Sequence, residues 1–188
     1  MAKLYFKYGT MGSSKTAQAL MFRFNYQEKG KNVVLLKPAL DTRDGKTLIK
    51  SRIGLEQEAV IIHKNDKIIG LFNVYDVDAI IIDECQFLTV EQIEELKTIT
   101  EIHNKPVFCF GLKTNFKTEL FPASKRLLEI ADSISEIKSI CKCGNKAIIN
   151  ARIDSSGRVI NVGDEIVLGG NEAYEGMCYS CYKSKLDL

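Results

Sequence analysis

Four short apolar runs, residues 4–8, 33–36, 79–82 and 107–110, stand out along the chain, most of them ending in turn formers or polar side chains. β-branched and aromatic residues dominate them. Continuous rather than alternating apolar character predicts strands buried on both faces, as in a parallel sheet. A weaker run at 59–62 reads as a fifth strand. Between these lie segments with helical spacing. Residues 16–26 carry Ala17, Leu20, Met21 and Phe24 on one stripe. Residues 89–103 open on Thr89 with Gln92 three positions later, a pairing in which side chain and backbone cap each other. Residues 124–131 form a shorter third helix. Strands alternating with helices predict an α/β fold, a mostly parallel sheet with helices on both faces.

Two stretches break this rhythm. Residues 37–57 are polar, charged and glycine-containing, and read as a mobile loop over a site. After about Ser139 the chain turns to cysteine, glycine and short β-like runs (147–150 and 165–168), without a helical period. A boundary near Ile137 is expected, dividing a 1–137 α/β domain from a 138–188 appendage. The 188 residues suffice for one such core and a small addition.

Composition narrows the possibilities. Hydrophobic residues at 45% and charged residues at 27% match ordinary globular usage, which excludes disorder for most of the chain. A net charge of +2 is too small to argue for a nucleic-acid partner. Lys7 interrupts the first apolar stretch, so a secretory core is absent. No apolar run reaches membrane-spanning length. A cytoplasmic location, with no membrane partner, is expected.

The first strand runs into Gly9-Thr10-Met11-Gly12-Ser13-Ser14-Lys15-Thr16 and then a helix. The spacing is that of a phosphate-binding loop, G-x-x-x-x-G-K-[ST], with Ser14 in place of the second glycine. Successive backbone N–H groups of such a loop point inward around phosphate oxygens, and the helix N-terminus adds its positive end. Lys15 would then bridge the β- and γ-phosphates, and Thr16 would ligate Mg²⁺. The plainer alternative is an ordinary glycine-rich turn. The run at 79–82 ends in Asp83-Glu84, an acid delivered at a strand's carboxyl end. Beside a phosphate loop, Asp83 would hold Mg²⁺ and Glu84 would be free to take a proton from an attacking hydroxyl. The alternative reading is a solvated turn before the Thr89 helix.

Of the six cysteines, Cys141, Cys143, Cys178 and Cys181 crowd into two close pairs, while Cys85 and Cys109 sit singly among apolar residues. In a reducing compartment paired cysteines read as metal ligands, with a disulfide or free thiols as the alternatives. Four thiolates would make a closed structural zinc site, stapling the two ends of a long loop. Gly144 would supply the turn of the first pair.

With these features in place, the chain resembles the cellular (type II) thymidine kinases. The resemblance lies in Lys37-Pro38-Ala39-Leu40-Asp41-Thr42-Arg43, Asp83-Glu84-Cys85-Gln86-Phe87, Gly111-Leu112-Lys113-Thr114-Asn115-Phe116, Gly169-Gly170-Asn171-Glu172-Ala173-Tyr174 and the cysteine framework. It covers essentially the whole chain in order. It implies a P-loop (RecA-like) sheet with a zinc-binding domain that carries a substrate lasso. It implies Glu84 as general base toward the thymidine 5′-hydroxyl, with Gly9 to Thr16, Asp41, Arg43, Asp83 and Gln86 around ATP, its phosphates and Mg²⁺. Phe116 and Phe121 would wall the nucleoside pocket, with Met11, Leu112, Asn150 and Tyr174 near the base. Glu165, Ile166, Val167, Leu168 and Gly169 would form the lasso, gripping thymine through backbone groups. The resemblance further implies a homotetramer and feedback inhibition by dTTP.

Some residues carry no functional signal of their own. His63 and His103 lack metal or triad spacing, and Lys142, Lys146, Lys183 and Lys185 read as a solvated basic face. Apart from the resemblance, Phe116, Phe121 and Tyr174 read as core aromatics. The leading expectation is an ATP-dependent thymidine kinase acting on thymidine and deoxyuridine. Set against it are a nucleic-acid-binding P-loop ATPase with a zinc ribbon, and a catalytically inactive nucleotide-binding regulator.

Overall fold

The computed structural model describes residues 1–42, 45, 47–163 and 173–186. Among these, the central sheet is built from β1 (Leu4–Tyr8), β2 (Val33–Pro38), β5 (Val60–Ile62), β6 (Ala79–Ile82), β7 (Val107–Gly111) and β8 (Ser133–Glu136). Two short strands, β3 (Leu48–Lys50) and β4 (Glu56–Glu58), lie apart from it. The order across the sheet is β5-β2-β6-β7-β1-β8, and every pairing in it is parallel. The four apolar runs and the weaker fifth are therefore strands, as their continuous apolar character requires. All residues of β6 and β7 are buried. Edge strand β8 was not expected. Its sequence Ser-Ile-Ser-Glu has little apolar content, and as an edge it pairs on one side alone, with β1.

Period-two alternation assigns the two faces. Ile80, Ile82, Leu36 and Phe6 join a cluster with Ile93, Leu96 and Ile99 of α2 (Val90–Ile102) and Leu127 of α3 (Pro122–Ile130). Ala79, Ile81, Leu35, Phe108 and Phe110 join Ala19 and Leu20 of α1 (Lys15–Gln27) on the other face. Each buried isoleucine contributes about 1.5–3 kcal/mol through removal from water. α2 opens on the expected capping box, with Gln92 N–H donating to Thr89 Oγ1 at 3.2 Å and Thr89 N–H to Gln92 Oε1 at 3.0 Å. α3 begins at Pro122, two residues earlier than its spacing suggests, because proline lacks an N–H that the first turn would leave unpaired anyway.

The described residues of segment 37–57 are more ordered than their composition predicts. β3 and β4 form an antiparallel hairpin with Leu48 opposite Glu58. Ile49 is buried in the α1-side cluster. Lys37, fully buried, donates to the carbonyls of Leu48 (2.8 Å) and Gly45 (3.3 Å) and lies 3.6 Å from Asp41. A buried ammonium holding backbone carbonyls orders this loop where apolar patterning does not.

Beyond Ile137, β9 (Ser139–Ile140) pairs with β10 (Lys146–Ala147). β11 (Ile149–Ile153) is flanked by β12 (Val159–Ile160) and β13 (Tyr174–Met177), all antiparallel. A third apolar cluster, including Ala147, Ile149, Ala151, Met177 and Tyr182, is confined to this region. The chain then enters α4 (Tyr179–Leu186), which corrects the expectation of no helix here. Its sequence offers no apolar stripe, and of its residues Tyr182 alone is buried. The β-like run at 165–168 lies outside the described residues. No helix among them is long and apolar enough to cross a membrane.

Candidate active site

β1 delivers the glycine-rich loop at its carboxyl end. Gly9 N–H bonds the Gly111 carbonyl at 3.2 Å. A Cβ at Gly9 would lie 2.3 Å from Ser13 Oγ and 2.5 Å from the Ile137 carbonyl, so no larger residue fits. The chain turns through Gly12 (φ 79°) and Ser14 (φ 64°, ψ 27°), both left-handed. For serine this conformation costs about 1 kcal/mol more than for glycine, and it stands where loops of this spacing carry glycine. Lys15 opens α1, is buried, and donates from Nζ to the Thr10 carbonyl at 2.9 Å. The Ser13 N–H reaches the same carbonyl at 3.2 Å.

β6 delivers the acids. Asp83 is 3% exposed, and its Oδ1 is buried with no hydrogen-bond partner. Burial, and then the charge of Glu84, push its carboxyl up to about 7, against a hydrogen bond from Thr16 and the nearby Lys15 charge. An orphaned carboxylate oxygen beside a threonine hydroxyl is a fit for a hard divalent cation such as Mg²⁺. Glu84 is also left-handed, at φ 53°. Gln86 Nε2 donates to Glu84 Oε2 at 2.5 Å, and Gln86 Oε1 accepts from Leu112 N–H at 2.9 Å. Gly111 makes room for this: a Cβ there would fall 2.6 Å from Gln86 Oε1 and from Cys85 Sγ.

A cavity of about 330 Å³ unites these elements. Its walls include Met11, Gly12, Ser14, Lys15 and Thr16 of the loop, the acids Asp41, Asp83 and Glu84, and Leu112. The hairpin turn at 49–54 forms a further wall. Thus the cradle before α1 and the acid pair after β6 face one space, as their spacing predicts. Gln86 stands behind Glu84 rather than on the cavity wall, a role its position in sequence does not disclose.

The aromatic residues lie deeper. Phe116 is 1% exposed, with the Arg152 guanidinium 5.4 Å over its ring. Phe121 is buried and meets Phe87 edge-on at 5.9 Å. The turn carrying Phe116 is held by Asn115 Oδ1, which accepts from the N–H groups of Lys117 and Glu119, and by Ser124 Oγ, which donates to the Leu112 carbonyl. Asn150, 3% exposed on β11, spends both ends of its amide on backbone: Oδ1 accepts from Met11 N–H at 2.8 Å and Nδ2 donates to the Thr114 carbonyl at 2.9 Å. Tyr174 opens β13 opposite Arg152. Arg43 and residues 165–169 lie outside the described residues. Ser139 and Gly176 brace the site from outside any motif, and their sequence context carries no signal for it. Lys37 heads the stretch 37–43, which does not disclose that its ammonium is buried on backbone carbonyls.

The four predicted cysteines converge. Their sulfurs lie within 4.8 Å of one another, with Cys143 and Cys178 Sγ at 3.6 Å. Tetrahedral zinc with Zn–S near 2.3 Å sets sulfurs about 3.8 Å apart, so the set fits the ion. The six cysteines are free thiols. Backbone N–H groups of Cys143 and Cys178 bring the Cys141 thiol down to about 6, while hydrogen bonding with the thiols of Cys143, Cys178 and Cys141 pushes Cys181 up to about 12. All four must give up their protons to hold a metal. Gly144 (φ 88°) makes the expected turn, its N–H returning to the Cys141 carbonyl at 2.8 Å.

A protein-family model described as thymidine kinase matches residues 2–182. The chain belongs to the thymidine kinase family. It is 42% identical to a thymidine kinase of Legionella pneumophila (strain Paris), over 97% of this chain and 90% of that one. It is 40% identical to one of Yersinia pseudotuberculosis, over 99% and 97%. Among solved structures, a chain from a study of DNA unwinding by two Pif1 helicases aligns with TM-score 0.38 and 14% identity, over 72% of this kinase and 39% of that chain, too slight a likeness to carry an argument.

Proposed function

We propose that this thymidine kinase transfers the ATP γ-phosphoryl group to the 5′-hydroxyl of thymidine, and of deoxyuridine, giving dTMP and ADP. The observation that carries the reading is the shared cavity of Lys15, Asp83 and Glu84 in a chain of this family. Backbone amides of the loop at Gly9 to Ser14 hold the phosphates, and Lys15 neutralises charge between the β- and γ-groups. Thr16 and Asp83 would hold Mg²⁺, which when bound would supply positive charge against that developing on the transferring group. Glu84, oriented by Gln86, accepts the 5′-hydroxyl proton as the oxygen attacks phosphorus and the bond to ADP breaks. Asp41 and Arg43 act near the phosphoryl group. Phe116, Phe121, Leu112, Tyr174 and the backbone of 165–169 hold the nucleoside, and Met11 borders both substrates.

The finer expectations belong to the same reading. Zinc at Cys141, Cys143, Cys178 and Cys181 is structural and anchors a 138–188 unit against the 1–137 nucleotide unit. A cytoplasmic homotetramer inhibited by dTTP follows from the family resemblance. The nucleic-acid ATPase is not favoured, because the family match spans both units.

The test is incubation with labelled thymidine, ATP and Mg²⁺, with product separated by chromatography. Labelled dTMP, formed in step with ADP and unaffected by added DNA, is expected. ATP hydrolysis stimulated by DNA without dTMP would replace this function with the ATPase.

A further inference from the structure

One rigid peptide group links the β11–β13 sheet to the phosphate loop. The Thr10–Met11 peptide is planar and trans, so its N–H and C=O point in opposite directions from one plane. Its N–H donates to Asn150 Oδ1 at 2.8 Å, and its carbonyl accepts Lys15 Nζ at 2.9 Å. Fixing one end of the plane fixes the other. Asn150 is itself locked, since its Nδ2 donates to the Thr114 carbonyl at 2.9 Å in the segment leading to Phe116.

Neighbouring contacts flank this peptide on either side. Gly176 lies opposite Asn150 in the β11–β13 ladder, and a Cβ there would stand 3.1 Å from the Met11 carbonyl and 3.2 Å from Thr10 Oγ1. Thr10 Oγ1 meets Ser139 Oγ at 2.5 Å. The two described sheets of the C-terminal region therefore touch the loop, β11 and β13 through a buried amide and a close glycine, and β9 through a hydroxyl pair. One acceptor site and one N–H of the Asn150 amide are spent on backbone, and at 3% exposure the side chain presents little of the remainder to a ligand.

We infer that Asn150 is a positioning residue: it orients the Thr10–Met11 peptide and through it the Lys15 ammonium, while its other end ties the nucleoside-side segment to the same point. This inference rests on the reading of Lys15 as the phosphate-contacting cation. Asn150→Leu keeps approximate volume and removes both hydrogen bonds. A net hydrogen bond corresponds to roughly 3–10-fold in affinity, and MgADP binding without thymidine should weaken by about that factor.

The experiment measures MgADP affinity by calorimetry, thymidine KM and kcat, and the Met11 amide exchange rate by NMR in the ligand-free protein. In Asn150→Leu we expect faster Met11 exchange, weaker MgADP binding and a raised thymidine KM together. Asn150→Ser, too short to span both carbonyl and amide, repeats the test should the leucine variant not fold. A raised thymidine KM with Met11 exchange and MgADP affinity unchanged would overturn the inference and make Asn150 a base contact. Lys15→Met separates the two ideas. Unaltered MgADP affinity in that variant defeats the reading of Lys15, whereas Met11 exchange in Asn150→Leu still reports the peptide link.

Discussion

Gln86 holds Glu84 from behind, its amide nitrogen 2.5 Å from the carboxylate while its amide oxygen takes the Leu112 N–H at 2.9 Å. The proposed base is thereby fixed to Leu112, the residue that follows β7 and leads into the nucleoside side of the site. Glu84 needs such support, because its left-handed backbone at φ 53° is a strained conformation for a glutamate.

Loss of this brace should cost turnover rather than nucleotide binding. A misplacement near 1 Å can cost about 10²-fold, and Gln86→Leu is expected to lower kcat by that order with MgADP affinity unchanged. Gly111→Ala should act similarly, since the added methyl meets Gln86 Oε1 and Cys85 Sγ at 2.6 Å. It should also destabilise the fold by about 1–3 kcal/mol, read in urea denaturation. Unchanged kcat in both variants removes the role of Gln86.

Ser14 offers a stability gain. With φ at 64°, Ser14→Gly should stabilise the protein by up to about 1 kcal/mol without loss of MgADP affinity, while Ser14→Ala should not stabilise it. Denaturant midpoints of the three proteins decide this. A less stable glycine variant contradicts the strain.

Asp83 makes stability depend on pH in a defined direction. The native carboxyl keeps its proton up to about 7, against an ordinary value of 3.8. Between those values the native state binds more protons than the unfolded chain, so stability falls as pH rises. In metal-free protein, Asp83→Asn should be the more stable form above pH ~7, by on the order of a few kcal/mol, with the difference fading toward pH ~4. Melting curves across that range check the sign. A variant less stable than wild type at the alkaline end rejects it.

The cysteine cluster predicts one zinc per chain. Cobalt substitution should give the visible bands of a tetrahedral four-sulfur site, weakened in Cys143→Ser. Refolding with a chelator should leave residues 139–186 open to proteolysis and remove thymidine binding. Full protease resistance without metal opposes a structural role.

The sheet, its flanking helices, the cavity group of Lys15, Asp83 and Glu84, and the separate cluster of four cysteines were legible because each has a local signature. Buried parallel strands show as unbroken apolar runs, and a phosphate loop or a cysteine pair shows as fixed spacing. The unforeseen parts have causes that span the chain. Strand β8 is polar and pairs along one side, so Ser133 to Glu136 show no pattern. The β3–β4 hairpin depends on buried Lys37, whose carbonyl partners lie 8 and 11 residues away. α4 follows directly on Cys178 and holds Cys181, and no amphipathic stripe announces it. The Asn150 bonds join residues 139 and 36 positions apart, a relation no motif encodes.

The central claim is that Glu84 takes the proton of the nucleoside hydroxyl in the cavity that Lys15 also lines. Turnover of labelled thymidine by Glu84→Gln, beside its MgADP affinity, addresses that claim directly. We expect dTMP formation to fall by about 10²–10⁴-fold with MgADP bound as tightly as in the wild type. Wild-type turnover, or a loss of turnover explained entirely by lost nucleotide binding, would contradict it.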